Sequence, residues 1–212
     1  MEEQDKSWLL GFYNPIWESI KDKMDLLEVD NIMPFAKQGD FSKYGEIKDK
    51  TILRFYKCLN WWKFSWRTKT NPKIEGTFEF IPFERIISNS WDDDLGGNDW
   101  APDMKGFRPL DMFYNSDGFV GFYIGRNDKK GLYLVHSDSS ISPLNIDLEG
   151  YLSLLGLSKG FGWWQNALVE ISTGVHQPNV DSFKENMPKI FPEFNYEEFV
   201  SMYNSLRLNN SK

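Results

Sequence analysis

Hydrophobic residues recur at helical spacing near the start of the chain. Asn14-Pro15 is typical of a helix cap followed by a proline in the first turn, and the residues behind it predict a helix over 15–28. A second helix is predicted from Asp49 to Asn60, and the segment 31–45 between the two, with proline and glycine but no period, is predicted to be a loop. The two apolar faces are Ile16, Ile20, Met24 and Leu27, and then Ile52, Phe55, Tyr56 and Leu59.

In the middle of the chain apolar and polar residues alternate at a period of two over 62–67 and 77–81, which is typical of strands. The strands are predicted at 62–67, 77–81, 110–114, 119–125 and 132–136. The last three are joined by Asn115–Gly118 and Arg126–Gly131, both of which have hairpin turn chemistry. We therefore expect an antiparallel meander.

Helical spacing returns after Pro143. Helices are predicted around 148–155, 164–171 and 182–190 and behind Asn195, whereas 82–88 fits a short helix and 89–108 a long acidic loop. Strands that follow one another, flanked by helices, predict an α+β fold with one twisted, mainly antiparallel sheet of five or six strands. We expect a single domain over 1–212, with a helical extension from about residue 172.

Composition indicates whether the chain folds on its own and in which cellular compartment it is expected. The chain is 41% hydrophobic and contains 35 aromatic residues, so it is expected to fold on its own. Its longest stretch without a charged residue is eleven residues, Ser7–Trp17, too short to cross a membrane. The start lacks the pattern of a secretory signal, and a lone Cys58 cannot form an internal disulfide. We expect a reduced, cytoplasmic protein.

The charge favours one class of partner over another. Thirty-one acidic and 24 basic residues give a net charge of −7. This charge repels phosphate backbones and makes nucleic acid an unsuitable ligand, while it suits a basic protein surface. Modest acidity is also an ordinary means of staying soluble.

The familiar catalytic and cofactor motifs are missing from the sequence. His136-Ser137-Asp138 brings three triad residue types together, but consecutive residues do not align a base with a nucleophile, and no Gly-x-Ser-x-Gly is found. Cys58 lies among apolar residues of the second helix and is expected to be a buried structural thiol. With one cysteine and two distant histidines, no zinc spacing exists, and no phosphate loop is found. We expect no enzyme activity, cofactor or metal.

The most unusual segment is acidic and bounded by two tryptophans. It resembles a calcium loop, but Gly96 at the fifth position supplies no side-chain oxygen. Tryptophan is enriched at binding hot spots and acidic residues steer basic partners, which predicts a partner-binding surface; the alternative is that the two indoles anchor a solvated loop. The predicted partner-binding residues are Trp91, Asp92, Asp93, Asp94, Asn98, Asp99 and Trp100.

A second aromatic segment runs from Gly160 to Gln165. Its adjacent Trp163 and Trp164 beside an amide could bind a sugar or a peptide. Aromatic residues between two helices are, however, more often part of the core, and this is the interpretation we favour.

Several segments, taken in order, resemble the SUKH superfamily, the relatives of the yeast cell-wall-synthesis regulator that include many bacterial immunity proteins. The segments are Leu53–Trp66, Gly76–Pro82, Phe107–Asp111 and Asp117–Val120, and the match spans about 15–170. This resemblance implies an α+β domain that binds and neutralises a toxin domain without a catalytic centre. No residue motif for toxin binding carries over.

Two other functions stay open on the sequence alone. One is a regulator or scaffold that binds a host-encoded partner. The other is a hydrolase with paired carboxylates, for which the sequence leaves too many candidates to choose between. These candidates are Glu79, Glu84, Asp92, Asp93, Asp94, Asp111 and Asp117.

Overall fold

A computed structural model of the protein describes residues 3–32, 47, 49–88, 104–113 and 118–208. Within these ranges the chain forms seven strands and seven helices. The strands are β1 (Leu27–Ile32), β2 (Trp62–Thr68), β3 (Glu75–Phe80), β4 (Phe107–Phe113), β5 (Gly118–Tyr123), β6 (Tyr133–Val135) and β7 (Ile141–Pro143). The helices are α1 (Glu3–Lys21), α2 (Lys50–Cys58), α3 (Phe83–Ile86), α4 (Leu148–Ser158), α5 (Gln165–Thr173), α6 (Val180–Ile190) and α7 (Tyr196–Leu206).

The strands form one sheet in which neighbours in space are neighbours in sequence. Their order is β1-β2-β3-β4-β5-β6-β7, and every pairing is antiparallel. This confirms the predicted α+β class and the five predicted strands, which correspond to β2–β6 within a few residues. The sheet has seven strands in place of the expected five or six.

The two additional strands correct the prediction at the chain start and after the meander. Helix α1 begins at Glu3 and ends at Lys21, so Pro15 lies inside it and not in its first turn. Leu27, which we assigned to the helical face, is buried as the first residue of β1. β7 was not predicted, because three residues are too few to display a period.

Helix residues pack against one face of the first three strands. The inward side chains of β2 are two indoles and a phenylalanine, and the tyrosine of helix α1, Tyr13, lies 5.7 Å from Trp62 between ring centroids. From β3, Phe80 contacts Tyr151 of α4, which in turn lies 5.0 Å from Trp164. Aromatic contacts across the layers therefore join sheet and helices in one core.

The strands β4 to β6 are buried on both faces. Val120 and Leu134 point into the main core, whereas Phe107, Tyr123 and Tyr133 form a second, smaller cluster on the opposite side. By contrast, β2 alternates buried and more exposed residues along its length. A polar outward face is therefore confined to the β1–β3 half of the sheet.

The C-terminal helices share the main core. Asn195 caps α7 by accepting hydrogen bonds from the backbone N–H groups of Glu197 and Glu198. Phe199 of α7 lies 6.1 Å from Trp164 and 5.3 Å from Phe183 of α6, measured between ring centroids. The predicted helices of the last forty residues are therefore confirmed, and they pack on the body of the fold.

Candidate functional site

The outward face of β1, β2 and β3 carries polar side chains that the helices do not cover. We call it the polar face. It consists of Glu28 and Asp30 from β1, Lys63, Ser65 and Arg67 from β2, and Glu75, Thr77 and Glu79 from β3. Their neighbours along each strand point inward, because successive side chains of a strand alternate between the two faces.

The strand register arranges these residues in rows across the sheet. One row joins Glu28, Arg67 and Glu75. Beside it, Ser65 lies between the aligned positions of Asp30 on β1 and Thr77 on β3. The small side chains of this second row leave room above the sheet.

Only part of the charge on the polar face is paired. The Arg67 guanidinium lies 2.6 Å from the Glu28 carboxylate, and Lys63 lies 3.4 Å from Glu79, which also accepts a hydrogen bond from the indole of Trp61. In the described part of the chain, Asp30 and Glu75 have no cation within ion-pair distance.

A groove of about 370 Å³ lies over this half of the sheet. Two of its lining residues are the unpaired carboxylates of Asp30 and Glu75, and a third is the small residue Ser65, which is aligned with Asp30. A groove with two unpaired carboxylates suits a cationic side chain from a partner. The lining residues are Glu28, Val29, Asp30, Ser65, Trp66, Arg67 and Glu75.

A buried carboxyl group with a raised pKa lies in the described core. Asp111 of β4 is fully buried and accepts hydrogen bonds from the Tyr151 hydroxyl at 2.6 Å and the Glu79 backbone N–H at 2.8 Å. Gln165 donates to the same Tyr151 oxygen at 2.8 Å. Burial raises the pKa of Asp111 to about 6, although both hydrogen bonds act in the opposite direction.

This network is structural in its geometry. β3 and β4 share one aligned pair, Phe80 with Asp111. The Glu79 N–H, which faces β4, donates to the Asp111 carboxylate in place of a main-chain carbonyl of β4. The Tyr151 bond then ties β4 to helix α4. The network connects the two halves of the sheet to the helical layer.

The histidine that the sequence singled out does contact a serine, but not its neighbour. His136 Nε2 lies 3.1 Å from the hydroxyl of Ser142 on β7, whereas Asp138 accepts the backbone N–H of Ser140. Partial burial lowers the pKa of His136, and nearby Asp138 opposes this. The contact joins the two strands of the β6–β7 hairpin, and Ser137 takes no part in it.

The other sequence candidates fall in the core. Cys58 is buried as expected, and burial raises the pKa of its thiol to about 11. Trp164 is buried, in agreement with the core interpretation of the second aromatic segment. The glycines of that segment serve main-chain contacts: Gly160 accepts the N–H of Thr77, and Gly162 donates to the carbonyl of Glu75.

The predicted partner-binding loop lies outside the described residues. This applies to Trp91, Asp92, Asp93, Asp94, Asn98, Asp99 and Trp100. Their role in binding therefore stays a prediction.

Neither a metal-binding cluster in the described residues nor a similar known protein gives further information on the site. In the part of the chain that the structure describes, no group of three or more His, Cys, Asp or Glu side chains that could hold a metal was found, and no helix is long and apolar enough to span a membrane. The chain matches no family model, no curated protein and no solved structure. The SUKH resemblance stays a prediction from sequence motifs.

The polar face itself was missed at the level of sequence. Its β2 and β3 residues follow from the predicted strands, but β1 was divided between a helix and a loop. The signal was present at the start of β1, where apolar residues at 27 and 29 alternate with acidic residues at 28 and 30. Because Leu27 also continues the helical spacing of Ile16, Ile20 and Met24, the sequence predicted a helix at this position.

Proposed function

We propose that this protein is a non-enzymatic protein-binding module, and that it acts as a cytoplasmic immunity protein that neutralises a toxin domain. The observation that carries the proposal is the polar face, an open sheet surface with four carboxylates against two cations. The excess of two negative charges on this face has the same sign as the net charge of −7. Both favour a partner with a basic surface.

The type of partner follows from this charge and from the sequence resemblance. Many toxin domains neutralised by immunity proteins are nucleases, whose active-site clefts are basic because they hold phosphates. An acidic sheet face would occupy such a cleft and exclude nucleic acid. The SUKH resemblance supports the same function, since that superfamily includes stoichiometric toxin binders.

The proposal is tested with the product of the gene directly upstream of the one for this chain. We expect co-expression to rescue growth from that product, and the purified pair to form a 1:1 complex in which toxin activity is lost. Rescue without a stable complex would contradict binding as the mechanism. A regulator that binds a host-encoded partner would give neither rescue nor a complex with the upstream product.

The loop between Trp91 and Trp100 extends this proposal. We expect an acidic, tryptophan-bounded segment to contribute an anchor to the same partner, so that Trp100→Ala weakens the complex by about 2 kcal/mol. Replacing Asp92, Asp93 and Asp94 together by Asn should slow association mainly at low salt. The measurement is stopped-flow association at two salt concentrations, with circular dichroism as the control for folding. Unchanged association rates and affinity would contradict a role in binding and favour the alternative that the two indoles anchor a solvated loop.

A further inference from the structure

The two edges of the sheet differ in how well they are protected. β7 has three residues, and the bonds from His136 N–H to Ser140 and from Leu144 N–H to Leu132 define its ladder with β6. In this ladder the main chain of Pro143 faces away from β6. Proline has no N–H, so it blocks pairing at that edge, which is a common protection of edge strands.

The opposite edge, β1, lacks this protection. It has six residues with neither proline nor lysine, and the Lys69 N–H donates to Leu26 at 2.9 Å. Because bonded and non-bonded pairs alternate in an antiparallel ladder, Glu28 and Asp30 bond to β2, while Val29 directs its N–H and C=O outward. In the described ranges β2 is the only strand paired with β1.

The surroundings of this edge combine negative charge with exposed apolar surface. Glu28 and Asp30 lie on the polar face beside the edge. Met24 and Leu26, in the turn that leads into β1, are 48% and 51% exposed, and they are two of the four large hydrophobic residues exposed in the described chain. On the inner face, Val29 packs against the main core. A strand beside β1 would therefore have cationic side chains on the outer face and apolar ones on the inner face.

We propose that β1 takes up an extended segment of the partner, with alternating cationic and apolar residues, as an eighth strand of the sheet. This inference rests on the proposed protein-binding function and specifies its mode. The backbone groups of Val29 supply the main-chain bonds, and the carboxylates of Glu28 and Asp30 select a cationic sequence.

A second copy of this chain is the less suitable occupant. If two copies paired through β1 in one continuous antiparallel sheet, residues that share a face would oppose one another. Glu28 and Asp30 of one copy would then lie opposite Glu28 and Asp30 of the other. Like charges directly opposite each other destabilise a strand pair, so the charge pattern favours a cationic strand over self-pairing.

The free protein gives the first test, by amide hydrogen exchange followed by NMR. We expect the Val29 amide to exchange rapidly and those of Glu28 and Asp30 slowly, since only the latter bond to β2. A protected Val29 amide in the free protein would mean that the edge is already occupied and would overturn the proposal. So would a stable dimer in sedimentation analysis.

Peptide binding gives the second test. The probe is a peptide of alternating arginine and valine, about eight residues long, and its control is the same peptide with glutamate in place of arginine. We expect the arginine peptide to protect the Val29 amide and to bind at least about tenfold more tightly than the control. Equal affinities, or shifts confined to other parts of the chain, would overturn the inference.

A pair of variants separates the main-chain bond from the side chain. Val29→Pro removes an N–H that the fold does not use, whereas Val29→Ala removes side-chain packing and keeps the N–H. We expect Val29→Pro to bind the arginine peptide about tenfold more weakly than Val29→Ala, with both variants folded by circular dichroism. Equal binding by the two variants would exclude strand addition.

The same variants distinguish the inference from the proposed function. If the upstream toxin forms a full-affinity complex with Val29→Pro, the strand-addition mode is wrong and the immunity function stands. If the arginine peptide protects Val29 but the toxin does not bind, the edge is a docking site and the immunity function is wrong.

Discussion

At the scale of single residues, Asp111 links the pH dependence of stability to the architecture. Its carboxyl group is buried, bonded to Tyr151 and to the Glu79 N–H, and its pKa is raised to about 6 from 3.8. A raised pKa in the folded state means that the protonated form is favoured there. The contribution to stability is then fully present below pH 3.8 and is lost as the pH rises through about 6.

Because the contribution of Asp111 to stability falls as the pH rises, Asp111→Asn should change how stability depends on pH. Asparagine keeps an acceptor for the Glu79 N–H but does not titrate. From pH 4 to 7 the free energy of unfolding of the wild type, relative to the variant, should fall by about 2 kcal/mol. Urea unfolding of both proteins across this range measures the difference. Parallel pH profiles would contradict the assignment.

Cys58 gives a second prediction at this scale. The thiol is buried, its pKa is raised to about 11, and its sulfur lies 3.4 Å from the Asp5 carbonyl oxygen. Both burial and the small thiolate fraction slow its reaction. We expect a bulky disulfide reagent to label it at least about tenfold more slowly in buffer than in unfolding urea. Cys58→Ala should leave partner binding unchanged, and fast labelling of the native protein would contradict burial.

At the scale of elements, close contact between β4 and β5 depends on Gly121. A Cβ atom there would lie 2.3 Å from the Arg108 carbonyl oxygen and 2.6 Å from the Phe107 ring. Gly121→Ala must therefore separate the two strands or displace the ring, and we expect a loss of at least about 2 kcal/mol of stability.

A matched control for that prediction lies in helix α1. A Cβ at Gly11 would meet no atom within 4 Å. Gly11→Ala should therefore keep or raise stability, by up to about 1 kcal/mol, because alanine favours a helix. Urea unfolding of the two variants gives the comparison, and a similar effect of both changes would refute the steric explanation.

The same scale explains how far the sequence could predict the fold. β2 and β3 were predictable because one face is polar, so their residues alternate. β5 was predictable for a different reason: it is apolar throughout and followed by hairpin turn residues, in keeping with burial on both faces. β1 was not, because its first residue also fits the helical spacing of Ile16 and Ile20, and pairing with β2, a distant segment, decides its conformation.

At the scale of the whole molecule, the candidate site arises from three strands that are separated in sequence. Composition shows that the chain is acidic and favours a basic partner as a hypothesis, but it does not indicate the face on which the charge is unpaired. That face depends on the register that sets Asp30 opposite Ser65 and Glu75 opposite Arg67. Sequence motifs instead favoured the loop from Trp91 to Trp100 as the binding surface, because an acidic run bounded by tryptophans can be recognised in the sequence without knowledge of the fold.

The central claim is that the polar face binds a basic protein partner, and a charge-reversal titration tests it most directly. Asp30→Lys with Glu75→Lys changes the net charge from −7 to −3, and Asp181→Lys with Glu185→Lys on helix α6 changes it equally. Affinity of each double variant for the upstream toxin domain is measured by calorimetry at two salt concentrations. We predict that the first variant binds at least about tenfold more weakly at low salt and that the second stays within about twofold of the wild type. Equal affinities of the two variants would contradict the claim.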